Sequence, residues 1–302
     1  MKTPHQWIVG VDLTPRSRGA ARWAAWLSET SRHKPHLTAL HAGEFTDFRD
    51  EHPGPGSPIR RAREATEASL NALHVRGEYD HIRVVDSDSA VDALLEEVRT
   101  RGARGLVIGR IQPAESWTMI SLGAVARRVL RATDDPVFVV PPDYEPPRDP
   151  GPIVVGVTPS GDALVATEMA RSLGEELGLP VECVHVMPGV SAYLAGPERA
   201  IVPTATPLHT QLTFEEQARE AMKAWMHEHH IERPLHFEVG DTPRGLDAAA
   251  RRLGATFVVT GSRQLSTVDR LFQRSVGSDL ASRAHVPTLV VPPVSSQDAA
   301  VA

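Results

Sequence analysis

Glycine and aspartate residues stand at positions of the sequence where they could bind a ligand. Asp12 and Gly109 each follow a short run of β-branched and aliphatic residues, as does Gly261 near the C-terminus. Gly123 stands where the helix after Gly109 is predicted to begin. Glycine lets backbone N–H groups approach an anion closely, and the first N–H groups of a helix have no partner within it. These residues therefore predict clefts suited to a phosphate-bearing ligand.

The elements that must position these residues form a pattern that occurs twice. Residues 106–142 read as strand, loop, helix and strand, which is a βαβ unit and implies a parallel sheet. Residues 257–293 repeat this order and close, like the first unit, on a strand that ends in Val-Val-Pro-Pro. The chain is therefore interpreted as a duplication.

Each half of the chain is predicted to alternate five strands with four helices. Strands such as 7–11 and 153–157 are apolar throughout, as in sheets that are covered on both faces. Right-handed crossovers then predict an α/β fold with two repeated, open, doubly wound parallel five-stranded sheets and helices on both faces, of the Rossmann-like type. We expect a first domain at residues 1–143 and a second at 151–294, joined by a proline-rich linker.

Composition narrows the range of partners and compartments. The 302 residues are 41% hydrophobic and carry a net charge of −6, which argues against nucleic acid binding because that requires a basic surface. The single cysteine, Cys183, fits a reducing compartment. No signal-peptide core and no run long enough to span a bilayer is present, so we expect a cytoplasmic protein without membrane contact.

Short motifs in matching order in the two halves resemble those of the universal stress protein family. They are the Val-Gly-Val-Asp opening that ends at Asp12, the histidine-bearing second strands at His41 and His185, the glycine turns at Gly109 and Gly261, and the two closing strands. The chain is thus identified as similar to a tandem universal stress protein. The resemblance covers nearly all of both halves and implies two domains of the adenine nucleotide alpha hydrolase-like fold.

The resemblance also implies a nucleotide site. ATP-binding members of the family carry Gly, two residues, Gly, nine residues, Gly and then Ser or Thr, with an aspartate after the first strand. Transferred to this sequence, this pattern assigns the following cofactor-binding residues to the two clefts: Asp12, Gly109, Gly123 and Ala124 in the first, and Gly261 and Ser275 in the second.

The sequence departs from that pattern in each half. In the first, Gln112 replaces the second glycine, Gly123 lies one residue too far along, and Ala124 lacks the hydroxyl. In the second, the replacements are Gln264 and Arg274 for the glycines and Thr158 for the aspartate. Two or three lost hydrogen bonds to phosphate, at about 1.5–3 kcal/mol each, turn a micromolar site into a millimolar one.

We therefore predict a non-enzymatic stress-response module with no firm cofactor. The alternatives are an ATP or adenine-nucleotide sensor that uses the first cleft, and a slow ATPase. No nucleophile, base and oxyanion site assemble in the sequence. A zinc site at His227 and His230 lacks a third ligand, and His41 and His185 are expected to serve the fold through a hydrogen bond near the clefts.

The closing strands predict how the halves meet. Residues 137–140 and 288–291 are apolar and lie at the end of their sheets, where an unpaired edge would promote aggregation. We expect them to pair antiparallel within the chain as an internal pseudo-dimer, while a homodimer and unidentified protein partners stay open. The long stretch 188–210 is predicted to be a loop, as are residues 45–58.

Overall fold

The computed structural model describes residues 5–45, 57–111, 122–187, 208–262 and 276–293. Its strands are β1 Gln6–Gly10, β2 His36–Gly43, β3 His81–Asp86, β4 Gly105–Gly109, β5 Val137–Val140, β6 Ile153–Gly156, β7 Val181–Met187, β8 Leu235–Val239, β9 Phe257–Gly261 and β10 Thr288–Val291. Its α-helices are α1 Arg18–Thr30, α2 Pro58–Ala72, α3 Ala90–Arg101, α4 Ala124–Ala132, α5 Gly161–Leu177, α6 Leu208–Glu228, α7 Thr242–Leu253 and α8 Val276–Arg283. Among these, no helix is long and apolar enough to cross a membrane.

The strands form one ten-stranded sheet in the order β3-β2-β1-β4-β5-β10-β9-β6-β7-β8. Within each half all neighbouring strands are parallel, which confirms the predicted doubly wound α/β class. Helices α1, α2, α5 and α6 cover one face, and α3, α4, α7 and α8 cover the other. Coverage on both faces explains why β1, β4, β6 and β9 are mostly apolar, with Gln6 and Thr260 as their polar residues.

Helix α2 begins at Pro58, the last residue of the predicted loop 45–58. The side chain of Ser57 accepts a hydrogen bond from the backbone N–H of Arg60, and Pro58 occupies the first turn, where its missing N–H costs nothing. Pro58 therefore belongs to the helix and not to the predicted loop 45–58, of which 46–56 lie outside the described residues. Likewise residues 208–210 of the predicted loop 188–210 belong to α6, and the remainder of that loop is not described.

The two halves join at β5 and β10, which run antiparallel. Phe138 lies opposite Leu289, and Val137 and Val139 lie opposite Val290 and Thr288. All residues of both strands are buried. The backbone groups that would form two exposed sheet edges therefore bond to each other at the centre of the sheet.

An aromatic cluster fills the space beside this joint. The ring of Trp23 meets the rings of Phe138 and Phe257 edge-on at centroid distances of 5.4 and 5.5 Å, and stacks on Trp26 at 4.8 Å. Tyr144 adds its ring at 5.8 Å and donates its hydroxyl to the Thr256 carbonyl across the halves. Edge-to-face contacts of this kind add about 0.5–1.5 kcal/mol each to the burial of the rings. The cluster therefore stabilises the contact between the first half and the second.

A buried ion pair provides a second link between the halves. Glu176 on α5 accepts a hydrogen bond from the guanidinium of Arg104 at 2.6 Å and from the hydroxyl of Ser31 at 2.6 Å. Its side chain is 8% exposed, and that of Arg104 is 12% exposed. Arg104 and Ser31 belong to the first half, so the carboxylate of Glu176 is neutralised across the joint.

Replacing Glu176 with alanine should lower the free energy of unfolding by about 3–5 kcal/mol, because the Arg104 charge stays buried without its partner. Denaturant unfolding followed by circular dichroism measures the change. Glu175→Ala is the matched control, because Glu175 pairs with Arg171 while 61% exposed and should cost less than about 1 kcal/mol. Equal losses from the two variants would contradict the assigned role of Glu176.

Candidate functional site

A cleft of about 300 Å³ lies at the carboxyl ends of β1 and β4 in the first half. Adjacent parallel strands whose crossovers lie on opposite faces leave such a crevice, which is where open α/β sheets bind ligands. Asp12, Gly109, Gly123 and Ala124 all line this cleft, so the structure brings the four predicted residues of the first half together. Most of the wall is nevertheless apolar and includes Val11, Leu40, Leu94, Ile108, Leu122 and Val125.

The carboxylate of Asp12 is already hydrogen-bonded within its own loop. One oxygen accepts from the backbone N–H of Thr14 at 2.9 Å and from the Thr14 hydroxyl at 2.8 Å, which forms an Asx turn. Leu13 takes a left-handed conformation, with φ of 59°, to make this tight turn. Asp12 is exposed and lines the cleft.

Gly109 is required by close backbone packing. A Cβ atom at this position would lie 2.3 Å from the carbonyl oxygen of Arg16, which is far inside van der Waals contact. Gly261 is constrained in the same way, because a Cβ atom there would lie 2.6 Å from the carbonyl oxygen of Asp162. In both halves the segment that follows the first strand therefore passes against the glycine at the end of the fourth strand. The two glycines are therefore explained by the fold without any ligand.

Gly123 caps the first turn of α4 with a left-handed φ of 77° and no side chain. The helix then begins at Ala124, whose methyl group cannot donate a hydrogen bond to a phosphate. An added Cβ at Gly123 would lie 2.8 Å from the side chain of Ile111, which is itself 40% exposed beside the cleft. The helix N-terminus offers backbone N–H groups to the cleft, but its surroundings are aliphatic.

The second half provides fewer of the predicted groups. Thr158 replaces the aspartate, and its hydroxyl bonds to the hydroxyl of Ser160 at 3.1 Å. Ser275 lies outside the described residues, as do the departures from the glycine pattern at Gln264 and Arg274 and the corresponding Gln112 of the first half. Of the second site, Gly261 is therefore the one predicted residue within the described part of the chain.

The repeated histidines serve the fold. The Nδ1–H of His41 donates to the carbonyl of Val11 at 2.7 Å, and His185 makes the same bond to Val157 at 2.8 Å. Each bond ties the second strand to the chain just after the first strand, as the sequence predicted. Leu40 and Ala42 line the cleft while His41 does not, because alternate residues of a strand point to opposite faces.

Sequence reasoning missed Arg110, which follows Gly109 directly. Its side chain is 1% exposed and reaches into the second half, where the guanidinium donates to the carbonyls of Ala281 at 3.2 Å and Ala284 at 2.7 Å. These carbonyls end helix α8, whose negative dipole end attracts a cation. Burial lowers the pKa of Arg110 to about 10, although the charges of Asp143 and Asp247 oppose the shift.

The histidines near the end of α6 do not form a metal centre in the described part of the chain. No group of three or more His, Cys, Asp or Glu side chains suited to a metal ion occurs there. The ring of His229 packs against Trp225 at a centroid distance of 5.0 Å.

Gly109→Ala should destabilise the protein without any nucleotide present, by about 1–3 kcal/mol, because the new methyl group overlaps the Arg16 carbonyl. Thermal and urea unfolding of the ligand-free protein measure the loss. Gly77→Ala is the control, since a Cβ there meets no atom within 4 Å, and should change stability by less than about 0.5 kcal/mol. A fully stable Gly109→Ala variant would argue that a ligand and not the fold requires this glycine.

Arg110→Met should cost about 2–4 kcal/mol, because the carbonyls of Ala281 and Ala284 lose their donor in a buried place. Hydrogen exchange measured by mass spectrometry should speed up in α8 more than in α7. Arg128→Met on the exposed face of α4 is the control and should leave both helices unchanged. Unaltered exchange in α8 of the Arg110→Met variant would contradict the capping role.

Comparison with known proteins places these features in a family. The model of the universal stress protein family matches residues 6–141 and again residues 151–292. A universal stress protein of Mycolicibacterium smegmatis is 24% identical over an alignment 313 residues long, gaps included. The alignment covers 95% of this chain and 96% of that protein.

Solved structures have the same fold. A universal stress protein from Archaeoglobus fulgidus superposes with a TM-score of 0.63 at 17% identity, covering 96% of this chain and 99% of that one. A putative universal stress protein from Pseudomonas aeruginosa gives 0.62 at 17% identity, covering 96% of this chain and 94% of that one. With the family model matched once in each half, the chain belongs to the universal stress protein family as a tandem member.

Proposed function

We propose that this chain is a non-enzymatic regulatory module of the stress response, whose two domains, residues 1–143 and 151–294, form an internal pseudo-dimer. In this proposal the phosphate loops are degenerate, and the protein acts through protein partners instead of through nucleotide turnover. The observation that carries it is the character of the first cleft, where aliphatic side chains surround a helix start that lacks a hydroxyl.

Three features support a loss of triphosphate binding in the first half. Gly109 is required by the backbone of Arg16 and Gly123 by its positive φ of 77°, so neither glycine requires a phosphate as its explanation. Ala124 offers a methyl group at the start of α4. Each missing hydrogen bond to a charged phosphate weakens binding by about one to two decades.

A lack of enzymatic activity is supported by the same cleft. Among the described residues that line it, the charged ones are Asp12, Arg16 and Arg110. Asp12 accepts hydrogen bonds from Thr14, and Arg110 donates to the carbonyls that end α8. His41 lies on the neighbouring strand β2. Its Nδ1–H donates to the carbonyl of Val11, and its side chain does not line the cleft. In the part of the lining that the structure describes, no base is therefore placed beside a nucleophile.

A second candidate function is an adenine-nucleotide sensor that uses the first cleft. It is favoured by one observation, the convergence of Asp12, Gly109, Gly123 and the N-terminus of α4 on a single cavity. In that case ATP would be the cofactor of one domain, and the carboxylate of Asp12 would accept hydrogen bonds from the ligand.

Calorimetric titration of the full chain with ATP and magnesium separates the two functions. We expect no binding tighter than about ten micromolar and no release of phosphate above background. Tight binding that Asp12→Ala weakens would favour the sensor and overturn the degenerate-site proposal for the first half. Phosphate release that depends on the protein would revive an enzymatic function.

The double variant Gln264→Gly/Arg274→Gly is tested in the same titration. It restores the two glycines that the family pattern requires before Ser275, in the half that kept the hydroxyl. Its affinity for ATP should exceed that of the unmodified chain by at least about tenfold, since each restored contact contributes about 1.5–3 kcal/mol. No gain would show that the glycine pattern does not limit binding in the second half.

A further inference from the structure

The two outer strands of the sheet differ in how their open edges are protected. Because β5 and β10 pair with each other, the sheet ends at β3 on one side and at β8 on the other. Among the strands that the structure describes, β3 and β8 therefore present the edges at which a second copy could add. Exposed edges of this kind are usually protected by charges, proline or a bulge.

The edge of β3 carries such protection. Ser87 donates its backbone N–H to Gly43, so odd-numbered residues of β3 face β2 and the even-numbered residues Ile82, Val84 and Asp86 turn their backbone groups outward. Asp86 is exposed at the end of this row, and the side chain of Arg83 beside it is 50% exposed. These charges disfavour the addition of a second strand at this edge.

Within the described ranges of the chain, the edge of β8 lacks this protection. The N–H of Cys183 donates to the carbonyl of Pro234, and the N–H of Gly240 donates to Met187, so even-numbered residues of β8 face β7. The backbone groups of Leu235, Phe237 and Val239 consequently point away from the sheet. All three side chains are apolar, and Val239, at 50% exposed, is the most exposed large hydrophobic residue of the described chain.

The sequence of β8, Leu-His-Phe-Glu-Val, is complementary to itself in the antiparallel direction. With Phe237 opposite its own copy, Leu235 lies opposite Val239 and His236 lies opposite Glu238. Apolar residues then meet apolar residues, and a basic group meets an acid. Leu235, Phe237 and Val239 are the residues whose outward N–H and C=O groups become hydrogen-bonded pairs in this register.

Neighbouring side chains contact β8 on both faces of the sheet. The guanidinium of Arg219 lies 4.5 Å over the ring of Phe237. On the opposite face, His236 bonds to Glu182 at 2.7 Å and Glu238 pairs with Arg252 at 2.7 Å. These contacts restrict the side chains of β8 before association, which lowers the entropy lost when a second strand is added.

We propose that β8 is the self-association surface of this protein, through which a second copy pairs antiparallel about a two-fold axis at Phe237. The two ten-stranded sheets then continue into each other. Such an isologous contact closes on itself after two chains and leaves the charged β3 edges outermost.

Sedimentation velocity over a series of concentrations tests the proposal. We expect a reversible dimer, and Val239→Lys and Val239→Pro should each raise its dissociation constant by at least about tenfold. Proline at 239 removes an outward N–H and leaves the bonds to β7 intact, so both variants should keep the unfolding midpoint of the parent chain. Val276→Lys is the control, because Val276 is also an exposed valine, at 37%, and lies away from β8. The Val276→Lys variant should dimerise like the parent chain.

Disulfide trapping tests the register. In the double variant Leu235→Cys/Val239→Cys the paired Cα atoms of two copies lie about 5.5 Å apart, within disulfide range. Val239→Cys alone should not cross-link, because its own copy lies about 13 Å along the strand. The native Cys183 is buried, which raises the pKa of its thiol to about 12 and keeps it unreactive.

Three results would overturn the proposal. They are a chain that stays monomeric at every concentration, a dimer that survives Val239→Lys and Val239→Pro, and a dimer that fails to cross-link through cysteines at 235 and 239. The third result would place the contact on another surface of the molecule.

Discussion

The antiparallel pairing of β5 with β10 is the constraint on which the rest of the structure depends. It turns two five-stranded sheets into one and removes two apolar edges from solvent. It also fixes the distance between helices of different halves. Trp23 can meet Phe257, and Arg104 can reach Glu176, because these side chains project from elements that the central strands hold side by side.

The same constraint makes the two halves unequal. Arg110 and Ser262 occupy corresponding positions, and the backbone N–H of each donates to the last residue of the neighbouring closing strand, Val140 or Val291. From there the long side chain of Arg110 crosses the joint to the end of α8, which a serine cannot do. Duplicated domains that fold into one sheet can thus diverge at the joint while their backbones stay alike, since each residue faces a different neighbour.

The glycines at the ends of β4 and β9 show why a sequence pattern can have two physical explanations. A residue without a side chain suits close approach to a phosphate, and it equally suits close approach of another backbone segment. Here the Arg16 and Asp162 carbonyls provide the second explanation. A glycine that the fold demands can persist after ligand binding is lost, so its presence alone does not identify a nucleotide site.

The sequence by itself determined the duplication, the strand and helix order, the parallel halves and the hydrogen-bonding role of His41 and His185, because these follow from local periodicity repeated twice. It also placed Asp12, Gly109, Gly123 and Ala124 at one cleft, since parallel strands bring their carboxyl ends to one edge. The start of α2 depended on a single N-cap hydrogen bond from the side chain of Ser57, which the hydrophobic periodicity of the sequence does not reveal. Only the tertiary structure decided that Arg110 is buried, that Glu176 meets Arg104, and that the cleft wall is aliphatic. These properties depend on contacts between residues far apart in the chain, and such distances become short only when the two halves fold into one sheet.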